Sequence, residues 1–531
     1  MNLPQELRKL THFPLVLAWV DEAQLWICPP HGETACFSVD NAQVRAGLNS
    51  LWRSPSRLVL FVDAKQSLSR LCKLGVDVAR PVDLQTLSKV AGVDLPRFTK
   101  PQDTTGFSDL AIQALTHLDA CMSVVDEKGL RGVARLECMV LRSIAQLEHR
   151  GLAIDKEGWQ VLVDEAKSKR TEERRSFLSE MGDAIPKDLF GEPDFHLDSD
   201  EELKTLLNRK FKLELPDVSK HTLARVEHRG IPHLLAYREA NKIVTTYGDS
   251  FLEFVDDDLR LRAEFTPLGA STGRISSRSP NLQNLPSDRR FHACLKAPKD
   301  RKLITADYGA CELRILAELS GDERFLDFFA RGVDLHAAVA SRLFRQEVSK
   351  ETNPELRQQA KAINFGLCYG MGAQSLGNQL GLSLSDAERL LEKYFAAFPG
   401  IQRKLETLVD DALRKGYAQT LLGRKLHFDV EVLRGPNARG ELSRIAKNMP
   451  IQGSSADMTK LAMVLLSERL LQFDDAGLVN TVHDELVVEC AAHEMTEVAT
   501  AVENAMCDAH RILLHVVPPQ VDVHIGDVWM H

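Results

Sequence analysis

Short apolar runs with alternating character open the chain, at Phe13–Val20, Gln24–Ile27, Ala35–Val39 and Leu58–Val62, and they predict four strands. Helical spacing follows near Ser67–Leu74 and Asp109–Val125, so residues 1–129 read as one α/β domain ending at Asp126-Glu127-Lys128-Gly129. From Leu130 to about Arg170 the apolar spacing is again helical, with a break at Arg150-Gly151-Leu152, and another helix is predicted over Thr222–Phe254. The mixed-sign stretch Lys167–Arg175 fits a solvated helix face. Beyond residue 261 the texture changes to short strands, Gly-rich turns and long helices.

Composition narrows the class. With 44% hydrophobic and 27% charged residues the chain is an ordinary globular protein, which excludes disorder, collagen and coiled coil. Its 531 residues correspond to about three or four domains. The ten cysteines never form Cys-x-x-Cys, which fits reduced thiols rather than a disulfide framework or a zinc site. The first residues lack an apolar signal core, and no run approaches the ~18 apolar residues of a membrane span. A formal net charge of −9 weighs against a polyanionic partner until its distribution is considered. Residues 272–315 carry nine Lys/Arg against four Asp/Glu, and 414–447 carry eight against three. A basic cleft in an acidic exterior would draw in a phosphate backbone at one place only.

Five segments carry chemistry. In Lys302–Arg314 a strand-like run ends on Asp307, with Glu312 at a helix start; Asp307 could serve catalysis or simply cap that helix. In Gly477–Glu489 two β-branched arms flank His483-Asp484-Glu485, which predicts a hairpin with its charges at the bend. Two carboxylates from distant segments, each at a strand tip and without a His/Cys cluster, suit a hard oxygen-liking cation such as Mg²⁺. Such a pair is the donor set of two-metal phosphoryl or nucleotidyl transfer. A third segment starts a helix at Asn353-Pro354 and places Arg357, Lys361, Phe365 and Tyr369 four residues apart, on one gently spiralling face. Two cations followed by two aromatics could meet a triphosphate and a base. Ser271–Pro286 is rich in hydroxyls and amides that could contact sugar, phosphate or minor-groove acceptors, or could be a plain polar loop. Ser443–Asp457 sets Arg444, Asn448 and Gln452 at four-residue intervals on a second polar face, expected to break at Pro450.

Taken together these segments resemble family A DNA polymerases, of the type of the large fragment of bacterial DNA polymerase I. Asp307-Tyr-Gly-Ala-Cys-Glu-Leu-Arg314 is similar to motif A, Arg357-x3-Lys361-x3-Phe365-x3-Tyr369-Gly370 to motif B, and Val482-His-Asp-Glu485 to motif C. Thr272-Gly-Arg-Ile-Ser-Ser277 with Pro280-Asn-Leu-Gln-Asn284, Glu148–Asp155 and Gly526-x2-Trp529 also match, in the family's order, over about residues 130–531.

The resemblance implies an α+β right hand of palm, fingers and thumb behind a ribonuclease-H-like 3′–5′ exonuclease-type domain. The expected division is 1–129 exonuclease-like, 130–260 thumb, 261–345 palm, 346–430 fingers and 431–531 palm. It implies a DNA-directed DNA polymerase adding dNTPs to a primer in replication or repair. Asp307, Asp484 and the Tyr308 carbonyl would hold two Mg²⁺ ions, with Mn²⁺ able to substitute. Arg357, Lys361 and His336 would bind the triphosphate, and Lys361 would protonate the leaving pyrophosphate. Phe365 would lie under the sugar and base and discriminate against 2′,3′-dideoxynucleotides, Tyr369 would approach the template base, and Glu312 would gate the 2′-hydroxyl. Arg274, Gln283, Asn284, Arg444, Asn448, Gln452 and His483 would line the primer-template, with Glu485 an accessory carboxylate. Expected partners are primer-template DNA, dNTPs and replisome or processivity proteins, around a monomer without membrane contact in the cytoplasm of a bacterium or of a phage or virus host.

The chain departs from the family at Gly309-Ala310-Cys311, where Ser-Gln-Ile is usual. The amino-terminal domain departs further. The first strand supplies no Asp-x-Glu, and in Asp63-Ala-Lys-Gln-Ser67 a serine stands where the metal-binding Asp belongs. Asp83 and Asp119 remain, and Leu115 stands in place of a Tyr. The expectation is a degenerate, inactive exonuclease fold and no 5′-nuclease domain. Rival readings are a single-subunit RNA polymerase, a DNA-binding accessory subunit without catalysis, and a nuclease.

Overall fold

The structure is a computed structural model and describes residues 14–21, 24–30, 32–100, 102–191, 193–286, 288–429 and 438–530. Phe13, at the start of the first expected strand, lies outside them. The chain forms two compact units: residues up to Gly151 with Ala263–Gln283 and Pro298–Trp529, and Leu152–Arg262 with Asn284–Ala297.

The first unit begins with five strands, β1 Leu15–Val20, β2 Gln24–Cys28, β3 Ala35–Ser38, β4 Leu58–Phe61 and β5 Pro81–Asp83, in the order β3-β2-β1-β4-β5. β1 pairs antiparallel with β2 and parallel with β4, and β4 pairs parallel with β5. The period-2 pattern divides β1 between two cores. Val16, Ala18 and Val20 face helices α1 Ala42–Trp52, α2 Ala64–Lys73 and α5 Arg131–Arg150. Leu17 faces α4 Thr104–Glu127. Each fully buried Leu, Val or Phe contributes about 1.5–3 kcal/mol. Helix α3, Leu84–Ala91, and β5 went unforeseen in the sequence. Asp83 starts the helix by accepting the Thr86 N–H at 2.9 Å, and Gly92 ends it at φ 71°.

In the second unit, Asp155 accepts the Gly158 N–H at 3.0 Å and starts α6, Lys156–Met181. Strands β6 Leu152–Ala153 and β7 Arg260–Leu261 pair in this unit, which also holds α7 Asp200–Phe211 and α8 Gly230–Tyr247. The single helix expected over 222–254 is therefore divided. It starts only at Gly230 and stops at Gly248, whose backbone leaves the helical region, while Lys220–Leu223 and Asp249–Leu252 form separate single turns.

The rest of the first unit holds β8 Glu264–Thr266, β9 Ser276–Arg278 and β10 Arg301–Tyr308, then helices α9 Cys311–Ser320, α10 Leu335–Phe344 and α11 Pro354–Cys368. After the pair β11 Tyr417–Gln419 and β12 Lys425–His427 come the long helix α12 Ala438–Arg469, the hairpin β13 Gly477–Val482 and β14 Glu485–Ala491, α13 Met495–Leu513, and β15 Val521–Gly526. Four strands form an antiparallel sheet in the order β13-β14-β10-β15. The break expected at Pro450 is absent: α12 runs through it for 32 residues. The proline removes one backbone donor, but its neighbours Met449 and Ile451 are buried, and the Ser454 hydroxyl donates to the Pro450 carbonyl while accepting from the Leu421 N–H at 2.9 Å. Packing outweighs the roughly 3 kcal/mol that an internal proline costs. Among the described residues no helix is long and apolar enough to cross a membrane.

Candidate active site

Asp307 ends the central strand β10 one residue before its last. It stands opposite Glu485 of β14 and Asp522 of β15, and directly opposed residues share a sheet face, so three carboxylates form a row across three strands. Asp484 and His483 make the two-residue turn between β13 and β14, with His483 at φ 54°. Burial, helped by the charges of Glu312 and Glu485 and opposed by the Asp484 backbone N–H and Arg274, pushes the Asp484 carboxyl up to about 6. Glu485 is buried and accepts the Trp529 indole N–H at 2.7 Å.

A second group meets this one at Glu312, in the first turn of α9. Its Oε1 accepts from Arg274 Nη2 at 2.7 Å. Burial raises the Glu312 pKa, against the pull of Arg274 and the Tyr369 hydroxyl. Burial and the Glu312 charge push Tyr369 up to about 12. Two glycines make these approaches possible. Gly370 is at φ 66°, and a Cβ there would lie 3.0 Å from the Arg444 backbone on α12. Gly273 is at φ 85°, and a Cβ there would lie 2.7 Å from Arg424 Nε.

Along α11 the Arg357–Lys361–Phe365–Tyr369 face stays accessible while Asn364 beside it is fully buried. Asp334, which caps α10 through the Ala337 N–H at 3.0 Å, holds Arg357 at 2.9 Å. His336 lies 5.6 Å from the Phe365 ring, and Lys361 Nζ 6.0 Å from it. Burial first, then Arg357, lowers the His336 pKa to about 4. Arg274, Gln283 and His483 line a small cavity with Thr481, whose carbonyl accepts from Gln283 Nε2 at 3.2 Å. Arg444, Asn448 and Gln452 share one face of α12, and Gln452 is buried. Asn284 belongs to the second unit, where its carbonyl accepts from the Tyr247 hydroxyl. The Tyr308 side chain is buried and donates to the Met506 carbonyl at 2.7 Å.

A family model described as DNA polymerase family A matches residues 165–531. The chain belongs to that family. DNA polymerase I of Lactococcus lactis subsp. lactis (strain IL1403) is 31% identical over 448 residues, covering 81% of this chain and 50% of the relative. DNA polymerase I of Bacillus caldotenax is 33% identical over 417 residues, covering 75% of this chain and 46% of the relative. The chain thus spans about half the length of these curated relatives. A solved structure, the POL domain of Pol1 from M. smegmatis in complex with DNA primer-template and dNTP, matches with a TM-score of 0.84 at 28% identity, over 99% of this chain and 98% of that one. The architecture is the right-hand polymerase fold.

At Gly309-Ala310-Cys311 the first and third residues are closely packed. A Cβ at 309 would lie 3.0 Å from the Gln520 side chain, whose backbone carbonyl accepts the Gly309 N–H at 3.1 Å. Arg314 donates to the Gly309 and Pro518 carbonyls, each at 2.7 Å, and buried Cys311 lies 3.4 Å from the Ser455 hydroxyl. Sequence reasoning missed Asp522, Asp334 and Asn364. The alternation Val521-Asp-Val-His-Ile525 could have marked β15, but no local signal ties Asn364 or Asp334 to the site.

Proposed function

We propose that this chain is a template-directed DNA polymerase that extends a primer 3′ end with dNTPs. The observation that carries the reading is one connected site: Asp307 and Asp484 at two strand tips, joined through Glu312 and Tyr369 to the cation–aromatic face of α11. The donors at the strand tips are oxygens, and Asp484, whose carboxyl is raised first by burial and then by the charges of Glu312 and Glu485, stands where a divalent cation would favour its ionised form. Among the described residues no group of three or more His, Cys, Asp or Glu is arranged to hold an ion alone. Asp307, Asp484 and the Tyr308 carbonyl would therefore share Mg²⁺ with substrate phosphates, as this ion usually requires. When bound, such ions supply charge neutralisation at the attacking and leaving oxygens.

The chain's own residues do the rest. Arg357 and Lys361 would bind the triphosphate, and Lys361 is the group to protonate departing pyrophosphate. Phe365 would stack on the incoming nucleotide, and Glu312, fixed by Arg274, would leave no room for a 2′-hydroxyl. Arg274, Gln283, His483, Arg444, Asn448, Gln452 and Asn284 would contact primer-template.

The reading extends to residues 1–129, 130–260, 261–345, 346–430 and 431–531 as exonuclease-like scaffold, thumb, palm, fingers and palm. For the scaffold, the uses of its acids support inactivity. Asp63 caps α2 by accepting the Gln66 N–H at 3.0 Å, Asp83 is a buried cap, and Asp119 is exposed on α4. Lys65 of the same segment pairs with Glu148 at 2.9 Å, and Glu148 also accepts the Phe265 N–H at 2.6 Å, a structural duty. A labelled primer on a longer template tests both parts. Lengthening with Mg²⁺ and dNTPs is expected, and no change without dNTPs. No lengthening refutes the polymerase, and shortening without dNTPs refutes the inactive scaffold.

A further inference from the structure

We propose that Asn364 is a positioning residue: it donates its side-chain N–H to Nδ1 of His336 and so holds that imidazole as the Nε2–H tautomer, a neutral donor facing the nucleotide's outer phosphates. The inference rests on the polymerase reading and names how one part of that site is set.

Asn364 is wholly buried, and its Nδ2 lies 3.1 Å from His336 Nδ1. An amide nitrogen can only donate, so Nδ1 must offer its lone pair and the ring proton must sit on Nε2. An imidazolium would set N–H against N–H, which agrees with the depressed His336 pKa. The charged neighbours are Arg357 and Lys361 on α11 and Asp334 at the start of α10. Asp334 favours the protonated ring, but it is engaged by Arg357, and burial with the charges of Arg357 and Lys361 outweighs it. In this orientation the buried atom left without a partner is Oδ1, and a protein interior tolerates an unpartnered carbonyl oxygen better than an unpartnered N–H. Asparagine is also a poor interior helix residue, so its place in α11 calls for a duty.

Where the ring faces is set by the surroundings. His336 lines a cavity of about 310 Å³ together with Gly309, Ala310, Arg314 and Lys350. Arg314 is satisfied by neutral acceptors, Lys350 on the exposed rim forms no ion pair among the described residues, and Asp334, which also lines the cavity, is paired with Arg357, so the wall carries an excess of positive charge. A hydrogen bond from Nε2–H would add direction there without adding a further charge.

The test uses the whole chain labelled with ¹⁵N-histidine, with the His336 signals assigned by their loss in His336→Gln. Wild type is expected to carry the proton on Nε2 between about pH 6 and 8. Asn364→Asp, an isosteric acceptor, is expected to move it to Nδ1 and to raise KM for dNTP about tenfold, while kcat stays within about threefold. Asn364→Leu is expected to leave mixed tautomers and a smaller rise in KM. A wild-type proton on Nδ1 overturns the proposal, as does an Asn364→Asp variant that shifts the tautomer without raising KM. If His336→Leu also leaves KM unchanged, the phosphate-facing reading fails, and the tautomer signal shows which part failed.

Discussion

Glu137→Gln probes the buried ionic cluster behind the site. Glu137 on α5, Arg424 just before β12, and Asp457 and Lys460 on α12 are all buried, two anions against two cations. Lys460 Nζ donates to Glu137 Oε1 at 2.5 Å, Arg424 donates to both acids, and Thr420 donates to Asp457 at 2.7 Å. Glutamine at 137 leaves a net buried positive charge and sets an N–H beside two cations, or else where Oε2 now has no partner. Removing one partner from a buried pair costs about 3–5 kcal/mol. Urea unfolding at pH 7 should show that loss for Glu137→Gln and a similar one for Lys460→Met. The double variant should cost at least about 2 kcal/mol less than the sum, because the two side chains share one network. Burial already lowers the Lys460 pKa, and Glu137 is the main charge raising it. In Glu137→Gln the folded state therefore binds fewer protons than the unfolded state, so its stability deficit should shrink as pH rises from about 7 to 9. Single variants costing below about 1 kcal/mol, or a strictly additive double variant, would refute the reasoning.

Gly273→Ala places a methyl 2.7 Å from the Arg424 guanidinium at a positive φ; it should destabilise by about 1–3 kcal/mol and weaken primer-template binding, read by urea melts and fluorescence anisotropy. Asp83 is buried with its pKa pushed up to about 6 by desolvation, so stability should fall as pH rises from about 4 to 6, by about 3 kcal/mol. Asp83→Asn should flatten that slope in urea midpoints, and an unchanged slope would remove the assignment. Glu312→Ala should increase ribonucleotide incorporation about tenfold or more relative to dNTP in single-nucleotide extension, and unchanged sugar selectivity would count against the gate.

What the sequence disclosed was chemistry at element tips. Asp307 at a strand end, the His483-Asp484 bend and the four-residue spacing on α11 depend on local pattern, and each stands where that pattern puts it. Pro450 misled because a local rule was weighed without the packing that encloses α12. Asn364 and His336 meet across 28 residues, and Glu137 and Lys460 across 323; no window of spacing reports contacts of that range. The helix starting at Asp83 was hidden because its apolar face covers only two turns.

The central claim is that Asp307 and Asp484 form the catalytic centre of nucleotide addition. Primer extension by Asp307→Asn and Asp484→Asn, beside DNA binding by the same preparations, tests it most directly. Each variant is expected to bind primer-template within about threefold of wild type while extension falls by about 10³-fold or more. Extension at more than a few per cent of the wild-type rate, in either variant, would contradict the account.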